Sequence, residues 1–221
     1  MTGVRTNPLG PTGSPEAEVV LLPQRAVFWP SARTLLIADL HLGKCETIRA
    51  HGGPMPESIL RADLDRLSAV LTRTEAARLI ILGDLLHAAI GVTDWLVDVV
   101  GEWRRRHAGV EFLAVPGNHD SRLEAVADPW RLRPVPPGFA DGPFAFCHHP
   151  CESDTHYIWA GHVHPLAALR SRRDELDLPC FWLAPRTGVL PAFSAFTGGL
   201  ALRPRAGERL FAIAEGRVFE L

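Results

Sequence analysis

The sequence predicts an α/β fold: a layered sheet with parallel strands in its first half, and a second, more antiparallel sheet packed on it. Three observations carry this. Short apolar runs alternate with two amphipathic helix patterns as far as residue 107. Several of those runs end in a polar cluster. From about Pro179 onward, apolar runs follow one another with no helix pattern between them.

Residues 1–18, "MTGVRTNPLGPTGSPEAE", are rich in Pro, Gly and Thr and are expected to form a flexible tail, leaving residues 19–221 as a single domain. The runs "RAVFWP", "TLLIADLH", "RLIILGD", "EFLAVPGNHD", "PFAFCHH" and "YIWAGHVH" have the length and the Ile, Val, Phe and Trp content of strands, many buried on both faces. Residues 56–73 place Ile59, Leu60, Leu64, Leu67, Val70 and Leu71 on one helical stripe, with Pro56 and Glu57 suited to a first turn. Residues 93–107 open on a Thr93 cap and repeat the pattern through Trp95, Leu96, Val99, Val100 and Trp103. In the second half, "PCFWLAP", "GVLPAFSAF" and "RLFAIAEGRVFEL" read as strands, the last folded at "EG", residues 215–216.

Composition narrows the function. With 221 residues, 47% hydrophobic and 22% charged, the chain can bury one sizeable core. A net charge of −2 excludes a protein that coats nucleic acid indiscriminately, so any polyanion must be handled locally. Lys44 is the single lysine, and an arginine bias of the genome accounts for that better than function does. The clusters "RRRH" at 104–107 and "SRR" at 171–173 are expected to be solvated surface rather than phosphate contacts. Cys45, Cys147, Cys151 and Cys180 form no C-x-x-C pair and no disulfide framework. Without a basic n-region and apolar core at the start, or any membrane-length apolar run, the expected location is the cytoplasm.

The chemistry lies at the strand ends. Asp39 and His41, Asp84, Asn118 and His119, His148 and His149, and His162 and His164 each follow an apolar run. In an open α/β sheet the carboxyl ends of strands share one edge, so five such ends can supply one pocket. Any one of these residues alone is more often structural. Five ends supplying only Asp, Asn and His is harder to dismiss. An Asp and a His two apart, as in "ADLH", are expected to point to the same side of an extended chain and grip one ion. Counting one histidine of "CHHP", seven ligands are present, too many for one ion, which implies a pair sharing a carboxylate; Asp84 is the natural bridge.

The motifs "ADLH", "GD", "GNHD", "HHP" and "GHVH", in this order, resemble the signature of the calcineurin-like metallophosphoesterase superfamily, over more than half the chain. "ADLHLGK", "IRAHGGPMPES", "GDLLHA", "GHVHP" and "LPAFSAFTGG" resemble more particularly the PdeM group, bacterial ligase-associated DNA damage response endonucleases. The resemblance implies a layered αββα sandwich of two mixed sheets flanked by helices. It implies two divalent ions, manganese ahead of iron or zinc, with Asp39, His41, Asp84 and His164 on one and Asp84, Asn118, His148 and His162 on the other. The family pattern His-x-Pro favours His148, with His149 the alternative. Asp84, Asn118 and His119 are then the catalytic set, with His119 protonating the leaving oxygen or holding the phosphate. The implied activity is hydrolysis of phosphodiester bonds in DNA, linked to repair, with an ATP-dependent DNA ligase, a helicase and an exonuclease as possible associates. A small-molecule phosphomonoesterase or nucleotide phosphodiesterase is the alternative, and a non-catalytic scaffold a further one.

One departure stands out. Where the superfamily commonly has "GDxxD", this chain has "GDLLH", so His87 replaces the aspartate that would orient His119. Either His87 contacts substrate, or Asp120 or another acid orients His119. Lys44 and Arg49 are further substrate-binding candidates, against salt bridging with the helix that follows; Arg122 is a weaker one. Cys147 and Cys151, flanking His148, are expected to be core filling and loop rather than a zinc site.

Overall fold

A computed structural model of the chain describes residues 3–10, 13–170 and 175–221. Its first sheet has seven strands in chain order: β1 (Val4–Thr6), β2 (Val19–Leu22), β3 (Ala26–Trp29), β4 (Thr34–Ile37), β5 (Arg78–Leu82), β6 (Glu111–Val115) and β7 (Leu132–Pro134). The first four form an antiparallel meander, and β4 to β7 run parallel. Connections explain the change. β2 and β3 are joined by a short turn, whereas helices α1 (Lys44–Ala50) and α2 (Ser58–Thr74) separate β4 from β5. Helix α3 (Asp94–Arg106) and the short α4 (Leu123–Ala127) provide the next two crossovers.

Helices α2 and α3 occupy the two spans the apolar stripes indicate. Thr93 caps α3, its hydroxyl accepting from Leu96 N at 3.2 Å, an interaction worth about 1 kcal/mol. Leu60, Leu64, Leu67 and Val70 of α2 and Leu96, Val100 and Trp103 of α3 pack with Leu35, Ile37, Leu79 and Ile81 in one core. The alternate strand residues, Leu36, Ile80, Leu82, Leu113 and Val115, face the other way into a second core. Burial on both faces is why these strands read as unbroken apolar runs.

That second core is closed by a nine-stranded mixed sheet. Its strands are β8 (Phe139–Asp141), β9 (Phe144–Phe146), β10 (Tyr157–Ala160), β11 (Pro165–Arg170), β12 (Glu175–Leu183), β13 (Thr187–Val189), β14 (Leu200–Leu202), β15 (Arg209–Ala214) and β16 (Arg217–Glu220). Phe144, Phe146, Trp159, Phe181 and Phe211 project from it against the first sheet. β9, β10 and β13 are parallel, while β12, β15 and β16 pair antiparallel. The β15–β16 hairpin turns at Glu215 and Gly216, with φ of 49° and 69°, the two positive angles a tight hairpin needs. All three helices that reach a core, α2 to α4, pack on the first sheet. Among the described residues no α-helix follows Ala127, so the second sheet's outer face has no helical layer.

Three local expectations change. Residues 3–10 and 13–18 are not a loose tail: β1 pairs with β2 in the register Val4↔Leu21, Ala17 is buried, and Trp29 Nε1 donates to Glu16 O at 2.6 Å. Pairing to a distant strand leaves no local composition signal. In "RRRH", Arg104 is buried rather than solvated, donating to His107 O and Val110 O at 2.6 and 2.8 Å, while Arg105 and Arg106 are exposed. "GVLPAFSAF" is a strand only as far as Val189; beyond it the chain runs as an irregular strap held by Phe193 N to Ala38 O. The "SRR" cluster at 171–173 lies outside the described residues, as do residues 1, 2, 11 and 12. All four cysteines are free, with Cys147 buried and Cys151 exposed. No helix among the described residues is long and apolar enough to cross a membrane.

Candidate metal centre

β4, β5 and β6 are parallel, so their carboxyl ends deliver Asp39, Asp84 and Asn118 to one edge. β9 and β10 deliver His148 and His162 to the same place from the second sheet. The chain does not stay extended there. Asp39 (φ 55°), His41 (50°), Asp84 (47°), His162 (67°) and His164 (48°) all adopt left-handed backbone. Asp39 and His41 therefore meet through a kink after β4, not by strand alternation as "ADLH" suggests. Asp and His are among the residues that tolerate this conformation, and such strain concentrates at functional sites. Asp39 N to Gly83 O at 3.1 Å and His41 N to Asp84 O at 2.9 Å hold the kinked segments together.

Two glycines show how closely the sheets approach. A Cβ at Gly83 would overlap the His148 ring, and one at Gly161 would lie 2.7 Å from Asp39 Oδ2. A motif glycine on each sheet thus makes room for a polar side chain from the other.

All seven expected ligands come together, in two groups around a pair of buried carboxylates. Ligand atoms of Asp39, His41 and His164 lie within 4.8 Å of one another. His164 Nδ1 donates to Gly198 O at 3.0 Å, which leaves Nε2 as the bare nitrogen, 3.2 Å from Asp39 Oδ1. The Nδ1 of His41 is buried with no partner. In the other group, His148 Nδ1 donates to Leu82 O at 3.0 Å. Its bare Nε2 then faces Asn118 Oδ1 at 3.0 Å, His162 Nδ1 at 3.1 Å and Asp84 Oδ1 at 3.5 Å.

Lone pairs converging at such distances repel unless a cation lies among them. Asp39 and Asp84 are 0% and 2% exposed, and among the described residues neither has an Arg or Lys partner. Backbone amides donate to them, His162 N to Asp39 at 3.0 Å and His119 N to Asp84 at 3.0 Å, but an amide carries no full positive charge. Two carboxylates buried in this way are costly without positive charge. The residues therefore fit divalent metal, and imidazole, carboxylate and amide oxygen suit manganese, iron or zinc. Burial pushes the His41 pKa down to about 3 and also lowers that of His162, keeping both in the neutral form that ligates. For His164, burial opposes protonation, but the adjacent Asp39 and the Gly198 carbonyl outweigh it and raise the pKa.

His148 is buried and reaches Asp84, Asn118 and His162, whereas His149 is exposed, with a ligand atom that also lies within 4.8 Å of those of His148 and His162. Geometry favours His148.

His119 stands beside the cluster, Nε2 3.9 Å from Asp84 Oδ2. Its Nδ1 donates to the backbone carbonyl of His87 at 2.7 Å, so the orienting group is a carbonyl and not a carboxylate. Asp120 is occupied elsewhere, accepting from Leu86 N and Gly117 N at 2.7 and 2.8 Å. It braces the loops after β5 and β6. The His87 ring lies against His119 and edge-on to His41, 5.4 Å away. Sequence reasoning has no access to these carbonyl partners, because every residue carries one.

Arg49 is engaged within the protein. It pairs with Glu46 at 2.5 Å, donates to Met55 O at 2.7 Å and lies over Trp95. Glu46 lies three residues earlier on α1, a spacing at which helix side chains meet. Lys44 forms no salt bridge among the described residues; its Nζ donates to Phe196 O at 2.8 Å. Arg122 is exposed at the start of α4. Cys147 and Cys151 bring their Sγ atoms to 3.4 Å, one in a small apolar cluster and one on a loop.

The chain is similar to the nuclease MPE of Pseudomonas putida, known from its crystal structure: 36% of residues are identical, 92% of this chain and 95% of that chain are covered, and the TM-score is 0.80. The phosphoesterase YfcE of E. coli superposes more loosely, with 15% identity, 85% of this chain and 97% of that chain covered, and a TM-score of 0.46. No protein-family model and no curated protein matches the chain.

Proposed function

The chain belongs to the calcineurin-like metallophosphoesterase superfamily, as a PdeM-like member, and on that premise we propose that it hydrolyses phosphodiester bonds in DNA with two divalent ions. The observation that carries this is the set of bare nitrogen and oxygen atoms gathered around Asp39 and Asp84, two buried carboxylates lacking Arg or Lys partners among the described residues. Asp39, His41, Asp84 and His164 would hold one ion, and Asp84, Asn118, His148 and His162 the other. Manganese is the ion the resemblance favours. When bound, such ions neutralise phosphoryl oxygens and lower the pKa of water from 15.7 toward about 7.

The chain's own groups do the rest. His119 keeps Nδ1–H on the His87 carbonyl, which orients the ring and leaves Nε2 to hand a proton to the departing oxygen. Asp120 fixes the loops that carry Asp84 and Asn118. The segments between motifs hold one or two helices, short strands and loops, with no capping domain among the described residues, which leaves the site open enough for a polymer. The PdeM resemblance supplies most of the weight for DNA, for a link with repair, and for association with a DNA ligase, helicase and exonuclease.

Asp84→Ala should abolish metal-dependent hydrolysis of bis-p-nitrophenyl phosphate while circular dichroism still reports the fold; unchanged turnover refutes the assignment. A panel of single-stranded DNA, duplex DNA, cyclic nucleotides and mononucleotides with manganese separates the DNA reading from a small-molecule phosphoesterase. Falling affinity for DNA with rising salt would mark a backbone binder.

A further inference from the structure

Phe196 combines an uncovered ring with a fixed backbone. Its side chain belongs to a residue 44% exposed, yet the strap that carries it is pinned from several sides. Arg25 donates to Ser194 O at 2.8 Å, Lys44 Nζ donates to Phe196 O at 2.8 Å, and His164 Nδ1 donates to Gly198 O at 3.0 Å. The last contact joins the strap directly to a candidate ligand. Lys44 also places its ammonium 5.4 Å from the centre of the Phe196 ring, and both residues line one cavity with His41.

Single exposed apolar side chains are ordinary. This one differs in standing on a hydrogen-bonded strap, beside a cation, in a cavity shared with the candidate ligand His41. An aromatic face for a base and a cation for the backbone are the two parts by which proteins hold unpaired nucleic acid. Only one of the three Lys44 N–H donors is taken by Phe196 O, which leaves two for a phosphate oxygen.

We propose that Phe196 is a stacking platform for the nucleobase next to the scissile phosphate, with Lys44 meeting the adjoining backbone. This rests on the phosphodiesterase reading above.

The test uses an oligodeoxynucleotide with one cleavable phosphodiester, all other linkages being methylphosphonate, and with either a base or an abasic residue on each side of the cleavable bond. With manganese, Phe196→Ala should raise KM about tenfold on the base-bearing oligonucleotide and change it less than about twofold on the abasic one, as loss of one stacked base requires. Phe196→Trp should keep the KM of the unmodified protein. Equal losses on both oligonucleotides, a loss confined to kcat, or no loss at all overturns the platform. If the unmodified protein hydrolyses bis-p-nitrophenyl phosphate but neither oligonucleotide, the DNA reading fails and the platform with it. If it cleaves the base-bearing oligonucleotide and Phe196→Ala does so equally well, the platform alone fails.

Discussion

The His119 ring is held through Nδ1 by the backbone carbonyl of His87 at 2.7 Å, while the two rings stack with centroids 5.5 Å apart and planes 9° from parallel. One residue thus supplies both the polar restraint and the flat surface that fix the proposed proton donor. The carbonyl survives any change of the His87 side chain. His87→Ala is therefore expected to retain most activity, while His119→Ala loses about 100-fold or more in kcat. Steady-state turnover of bis-p-nitrophenyl phosphate by both variants checks this, and equal losses would mean that the His87 imidazole itself takes part.

Asp84 should change sign with metal. In the metal-free chain its buried carboxylate has no Arg or Lys partner among the described residues, so Asp84→Asn, which keeps the oxygen accepting from His119 N, should stabilise the fold by about 1 to 3 kcal/mol. With manganese present the order should reverse, because the variant loses a ligand. Thermal melts with chelator and with metal show it. A variant less stable under both conditions would contradict the charge argument.

Gly161 tests the close approach of the sheets. A methyl there meets Asp39 Oδ2 and Ala38 Cβ, both at 2.7 Å. Gly161→Ala should cost about 1 to 3 kcal/mol of stability and lower metal affinity about 10- to 100-fold by displacing Asp39. Metal titration followed by calorimetry measures the second effect, and wild-type affinity would show that Asp39 is not held by this contact.

Acid should unfold the metal-free chain early. Burial pushes His41 to about 3 from the ordinary 6.5, and lowers His87, His107 and His162 as well. A histidine with a depressed folded pKa contributes stability fully above pH 6.5 and loses it as pH falls toward the folded value, because the unfolded chain binds the proton first. His164 titrates in the opposite sense but is one group against four. The urea midpoint of metal-free protein should therefore fall as pH drops below 6.5, and His107→Gln, remote from the ligands and bonded to Ser68, should flatten the slope. A midpoint that rises on acidification would contradict the burial of these rings.

Much of this was legible in the sequence, for physical reasons. Apolar runs buried on both faces mark β4, β5, β6, β9 and β10, and the polar residues just past them can only gather at the sheet edge. Stripes at helical spacing mark α2 and α3. What was not legible depends on long-range partners or on backbone torsion. The pairing of Val4 with Leu21 needs the sheet already in place. The left-handed turns at Asp39 and His41 leave no trace in an apolar pattern. Carbonyl restraints from Leu82, His87 and Gly198 on three imidazoles are invisible because the donor's partner has no side-chain identity. The strap of Phe196 hides inside an apolar run that reads as strand.

Crystals grown with manganese and measured near its absorption edge address the central proposition. Two anomalous peaks are expected, one among Asp39, His41 and His164 and one among Asn118, His148 and His162, with Asp84 touching both. A single peak, peaks coordinated by His149 in place of His148, or none at this edge of the sheets would contradict it.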